Sequence, residues 1–225
     1  KVITDGAGNT AMGESAGIAL TGGDYNTFIG RLAGSTTTGA TKTVAIGNGA
    51  MYNGNATATG TVAIGVDSLA SLTSGAENVA VGYQAGTAQT TGDGNTVIGY
   101  DAFKSADGAE GSNVVIGKTA GQSINHDSSV QNVIIGVGAM SGGTAQQDKN
   151  VAVGYFALGS IGNNAHTGSV AVGANALGSC TSGIRNTAVG YNALSACNNN
   201  HYNTAVGWNA LYNYDLEHSN TAIGH

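Results

Sequence analysis

The residues in this chain with the chemistry to bond, bind or react are two cysteines, a row of aromatic rings, five histidines and thirteen scattered carboxylates. Cys180 and Cys197 each lie seven residues after the glycine of a recurring tetrapeptide, which puts them at equivalent places in successive repeats. Strands stacked ~4.8 Å apart bring such positions within the Cα range that a disulfide tolerates. The pair either forms an inter-repeat disulfide, as suits an oxidising extracellular setting, or remains two thiols filling loop space. Directly after the same glycine stand Tyr83, Tyr100, Tyr155, Tyr191 and Trp208. Aromatic faces stack on sugar rings and anchor interfaces, so this row is a candidate glycan-binding surface. The competing reading is that the rings shield a bend or pack between subunits. Tyr212 and Tyr214, with His201, Tyr202, Trp208 and His218, make the densest aromatic patch. That patch is a second candidate binding surface, or packing against a further domain.

Other reactive chemistry is not assembled by spacing. The acidic loops at Asp93, at Asp107 with Glu110, and at Asp215 with Glu217 offer oxygen ligands without a calcium-loop pattern. His126, His166, His201, His218 and His225 lack the spacing of a zinc site. Gly117-Lys118-Thr119 occupies a scaffold slot and is not part of a phosphate loop. No general acid and base pair stands out. The sequence therefore predicts no metal, no cofactor and no catalytic residue, and a protein that is not an enzyme.

What positions these groups is a repeat. A tetrapeptide of Asn or Thr, a small or β-branched residue, Val or Ile, then Gly ends at Gly13, Gly30, Gly47, Gly65, Gly82, Gly99, Gly117, Gly136, Gly154, Gly173, Gly190, Gly207 and Gly224. The intervals are 17, 18 or 19 residues, so thirteen copies span the whole of 1–225 as a single repeat domain. Four residues before the glycine, ten of thirteen copies have Asn, a side chain that can bond its own turn and stack as an amide ladder between rungs. The residues one and three before it are Val, Ile or Thr with a single Met, and Ala dominates between them. β-Branched residues suit a pleated surface. Three residues after the glycine, eleven of twelve complete copies have Ala, followed by Leu, Met, Phe or Gly. This pattern reads as a bend and a second short buried element. The rest of each copy is rich in Gly, Ser, Thr, Asn and Asp, varies in length, and reads as loop.

These features predict an all-β parallel solenoid of thirteen rungs, a rod on the order of 60 Å long. Successive strand residues face opposite ways, yet here both faces are apolar. The coil interior covers one face, and neighbouring chains are the simplest cover for the other. The expected assembly is a homotrimer whose alanine-lined face is shared between subunits.

Composition excludes several classes. Glycine supplies 38 residues and proline none, which is not collagen, and 41% hydrophobic residues are too many for a disordered tail. The net charge of -6, with scattered basic residues, offers no stripe for nucleic acid. No apolar run approaches the ~20 residues of a membrane-spanning helix. The abrupt first and last copies suggest a piece of a longer fibre.

The strand copies resemble the head repeats of trimeric autotransporter adhesins, which recur as Asn-Ser-Val-Ala-Ile-Gly; Thr61 to Gly65 and Asn78 to Gly82 are similar to it. Asn186 to Leu194 and Asn203 to Leu211 are closer to repeats of bacteriophage tail fibres and related surface fibres. The repeats here are longer than those of the autotransporter heads. The resemblance implies a left-handed parallel β-roll of three intertwined chains, located at the cell surface or on a virion tail, that recognises a host or cell surface. The expected function is structural and adhesive, with a surface glycan or outer-surface receptor as partner. A tailspike-like glycan-degrading enzyme is one alternative. An ice-binding solenoid is another, disfavoured because Val alternates with Thr in one strand slot and so suggests burial there.

Overall fold

The computed structural model describes residues 6–53, 57–162, 164–213 and 218–225. Thirteen strands of three residues, from Thr10–Met12 to Thr221–Ile223, lie side by side in sequence order in one parallel sheet. The chain is therefore a β-solenoid of about twelve turns, and no helix occurs among the described residues. Register never slips: Val79, Ala80 and Val81 pair with Thr96, Val97 and Ile98, and the equivalent positions pair at every other step. A shorter parallel ladder, Gln147–Asp148 with His166–Thr167, runs along a second edge of the coil.

Each strand ends at a glycine because nothing larger fits. Gly30 has φ of 129°, and a Cβ built on it would sit 2.5 Å from the carbonyl oxygen of Gly47 one rung along. That φ is open to glycine and strained for an L side chain. The chain then turns through residues that are not glycine yet take left-handed backbone angles. Asn175 and Leu177 have φ of 54° and 51°, and Asn192 and Leu194 repeat them one rung later. Such angles are uncommon outside glycine, and their recurrence in each rung is a property of the scaffold. Burial of the leucines offsets the strain, since Leu158, Leu177 and Leu194 are enclosed.

Inside the coil two walls meet. One carries the central strand residues, such as Ala45, Ala63, Ala80, Ala152, Ala171 and Ala188; the other carries the alanine and leucine that follow the glycine. The gap is narrow, for a Cβ on Gly17 would lie 3.7 Å from the Cβ of Ala11 across it. Side-chain volume is matched locally. Phe28 fills a slot that usually holds Ala, and its ring lies where side chains on Gly17 and Gly34 would otherwise be, with approaches of 2.8 and 2.7 Å. This is close packing maintained by exchange of volume between rungs.

Polar groups inside the coil are arranged as a ladder. Asn132 donates through Nδ2 to the Gln147 carbonyl at 2.7 Å, and its Oδ1 accepts the backbone N–H of Asn150 at 2.9 Å and the Asn150 amide at 3.2 Å. Asn95, Asn113 and Asn150 repeat the pattern, so each amide satisfies backbone of the next rung. Thr43, Thr61 and Ser169 interrupt it, though Ser169 Oγ still accepts the N–H of Asn186. Thr43 still donates to the Ala58 carbonyl, whereas Oγ1 of Thr61 is buried without a partner.

One expectation is corrected. The alanine face is not the face left over for other chains: it points inward and is fully buried. The outward face carries the first and third residue of each strand, and at interior rungs these are half-buried or exposed. The small residue points inward because the two walls of the coil approach too closely for anything larger in most rungs. The same geometry removes the objection that the Val and Thr slot is buried, since Thr27, Val44 and Thr96 are only partly covered.

Candidate functional site

The outward strand face is one candidate. Its twenty-six positions hold only Thr, Val, Ile and one Met, so it carries no charge over its whole length. Ile64, Ile98, Val172 and Val189 are among its exposed members. Stacked strands make it a strip on the order of 60 Å by 10 Å.

The aromatic row runs beside it, and all of its rings are exposed, from Tyr83 at 43% to Tyr155 at 57%. Rings on adjacent rungs stack on one another. Tyr83 and Tyr100 lie 5.1 Å apart and 14° from parallel, with the Lys118 ammonium 5.8 Å from the Tyr100 centroid. Tyr191 and Trp208 stack at 6.3 Å and 13°, and His225 covers the far side of Trp208 at 4.6 Å. Each stack covers one face of each of its two tyrosine or tryptophan rings. Tyr155 does not join a stack; it meets Phe156 edge-on at 4.7 Å.

On the wall opposite the sheet a groove of about 370 Å³ opens between Phe156 and Tyr212. Its lining combines Phe156, Tyr191 and Tyr212 with Asn175, Asn192 and Ser179. The two asparagines project outward because the residues that follow them, Ala176, Leu177, Ala193 and Leu194, fill the core. Of the aromatic residues expected to bind ligand, the structure brings Tyr191 and Tyr212 together here. Tyr83 and Tyr100 form a separate stack, Tyr155 and Trp208 border the groove through Phe156 and Tyr191, and Tyr214 lies outside the described residues. Sequence reasoning missed Asn175, Asn192 and Ser179. The signal available was the run of Asn175, Asn192 and Asn209 in one slot of three successive copies.

A larger cavity, about 570 Å³, lies at the first rungs between Gly8 and Leu20.

Cys180 and Cys197 are joined by a disulfide across adjacent rungs, with Cα atoms 4.5 Å apart. Both sulfurs lie in the core, in the slot that Leu20, Leu72 and Ile124 fill elsewhere, and not in loop space. Among the described residues no cluster of His, Cys, Asp and Glu is arranged to hold a metal ion. The histidines serve the scaffold. His201 Nδ1 accepts the N–H of Ile184 at 3.0 Å, His218 Nδ1 accepts that of His201 at 3.0 Å, and the two rings stack at 4.9 Å. Burial and then the neighbouring His218 lower the pKa of His201. His166 is enclosed, and burial pulls its pKa down to about 4 against weaker raising contacts from the Thr181 and Gly183 backbone. Glu110 is also enclosed; burial raises its pKa, backbone hydrogen bonds oppose this, and Asp107 and Asp127 add to it. The chain matches no protein-family model, no curated protein and no solved structure.

Proposed function

We propose that this chain is a structural and adhesive segment of an extracellular fibre, assembled as a homotrimer through its outward strand face. The observation that carries the reading is the uncharged strip of Val, Ile and Thr along the rod. Contiguous apolar surface beyond a few hundred Å² marks an interaction site in soluble proteins. A strip of identical rungs repeats its partner's spacing by construction, so copies of the same chain match it in register. The intertwined, left-handed roll implied by the resemblance belongs to the same proposal. Threefold assembly multiplies weak contacts with a host or cell surface.

Light scattering of the purified segment tests it. A solution mass of three times 22.1 kDa is expected, falling to one chain in Ile98→Glu, which puts a charge on the strip without touching the core. A wild-type monomer sinks the assembly. The partly exposed Thr and Val column also gives the ice-binding reading its one supporting observation. A monomer with thermal hysteresis would favour that reading, and a chain without hysteresis excludes it.

A further inference from the structure

We infer that the groove lined by Phe156, Tyr191 and Tyr212 is a binding subsite for a neutral sugar, a proposal that rests on the surface-binding reading above and gives it a chemical class. The first support is the ring geometry. Trp208 stacks on one face of Tyr191, and the equivalent slot of the preceding rung holds Ala174 and no ring. Tyr191 lines the groove, whereas the stacked Tyr83 and Tyr100 lie outside it. Tyr212, 42% exposed, contributes a second ring on the other border. The C–H face of a pyranose packs against such rings, and aromatic contacts of this kind add to affinity beyond area alone.

The second support is the polar lining. Asn175 and Asn192 are two amides in consecutive rungs, and so ~4.8 Å apart along the rod. Each offers both a donor and an acceptor, and Ser179 adds a hydroxyl. Paired donor and acceptor groups at this spacing suit vicinal hydroxyls of a sugar ring. No lining residue is charged, and the chain carries a net charge of -6, which repels acidic sugars such as sialic acid. The volume of about 370 Å³ is at the lower end of the roughly 300–1,000 Å³ typical of small-ligand sites, which fits one or two sugar units. The groove is on the wall away from the strand face, so a trimer joined through that face leaves it open.

Asparagine is also common at left-handed backbone positions for purely conformational reasons. The experiment must separate that role from binding. Asn192→Gly does so, because glycine keeps the turn that Gly49 and Gly138 adopt in the same slot, with φ of 68° and 64°, while it removes the amide. Trp208 is the only tryptophan and stacks on Tyr191, so its fluorescence reports on the groove. The intact segment is titrated with methyl glycosides of glucose, galactose and N-acetylglucosamine, and with sialic acid, by Trp208 emission and saturation-transfer NMR. At least one neutral glycoside is expected to bind. Its dissociation constant should rise about tenfold in Tyr191→Ala and several-fold in Asn192→Gly, and stay unchanged in Tyr83→Ala. For Tyr191→Ala, where Trp208 loses its stacking partner, NMR is the readout, and thermal unfolding verifies that each variant is folded. No saturation transfer from any neutral glycoside overturns the proposal, as does equal binding by all variants or a preference for sialic acid. Sugar binding by a chain that light scattering finds monomeric upholds the groove while removing the trimeric assembly, so the two failures are distinguishable.

Discussion

Replacing Thr61 by Asn should stabilise the protein, because Thr61 stands where the amide ladder is broken. Its Oγ1 is fully enclosed and has no hydrogen-bond partner, a defect that costs about 1–3 kcal/mol in a protein interior. In Asn78, Asn95 and their equivalents, the Oδ1 accepts the backbone N–H of the next Asn and the Nδ2 reaches a carbonyl fourteen or fifteen residues on. An Asn at 61 would make the same two bonds, to the N–H of Asn78 and the carbonyl of Gly75, each contributing about 1 kcal/mol net. The extra atom in a tight rung offsets part of this, at about 1 kcal/mol. The balance is a gain of about 2–4 kcal/mol. Urea unfolding of wild type, Thr61→Asn and Thr61→Val measures it, with Val removing the orphaned hydroxyl but adding no ladder. The expected order of stability is Asn above Val above Thr. If Asn proves no more stable than Val, the amide ladder contributes nothing beyond filling space.

Four further outcomes can be checked. Below its ordinary pKa of 6.5, His166 is protonated in the unfolded chain while the folded form resists protonation until about pH 4. Stability is therefore full above about pH 6.5 and declines by on the order of 3 kcal/mol as pH falls to about 4, a decline that His166→Gln should flatten in acid unfolding curves. Glu110 is shifted the other way, so its contribution is present at low pH and lost as pH rises through its elevated folded pKa. Glu110→Gln, which retains an acceptor for the N–H of Gly108, should raise the thermal midpoint at pH 7 and leave it unchanged at pH 4. Reduction of the Cys180–Cys197 bond, which closes a 17-residue interval, should lower unfolding free energy by about 3 kcal/mol, and a Cys180→Ala, Cys197→Ala double variant should become insensitive to reductant. Gly30→Ala combines backbone strain at φ 129° with a clash against the Gly47 carbonyl, and should cost roughly 3 kcal/mol or more by denaturant titration.

The period of the chain was legible because each rung reuses the same few solutions: Asn to bond the next turn, Ala to fit between close walls, Gly where a carbonyl of the neighbouring rung leaves no room for Cβ. What could not be read was which strand face points inward. Alternation separates Ala80 from Val79 and Val81, but only the width of the coil, set by turns through Gln84 and similar left-handed residues, decides that the alanine goes inside. Those turns have no composition of their own, since Leu32, Asp67, Gln84, Thr119 and Asn192 all adopt the same angle. The stacking of Cys180 on Cys197 followed from spacing alone. The groove did not, because its lining comes from different slots of four successive rungs, Phe156, Asn175, Asn192 and Tyr212, and only the stacking of the rungs brings them together.

Because every strand pairs only with the strands before and after it, the rod has no long-range closure. A whole rung, such as residues 66–82, could be excised or duplicated without altering the register of the remainder, as in a linear array with nearest-neighbour coupling. Rod length is then a count of copies. The narrow, identical cross-section makes the molecule a ruler with graduations of ~4.8 Å, on which any surface feature can be moved along the axis by whole steps without redesigning what holds it.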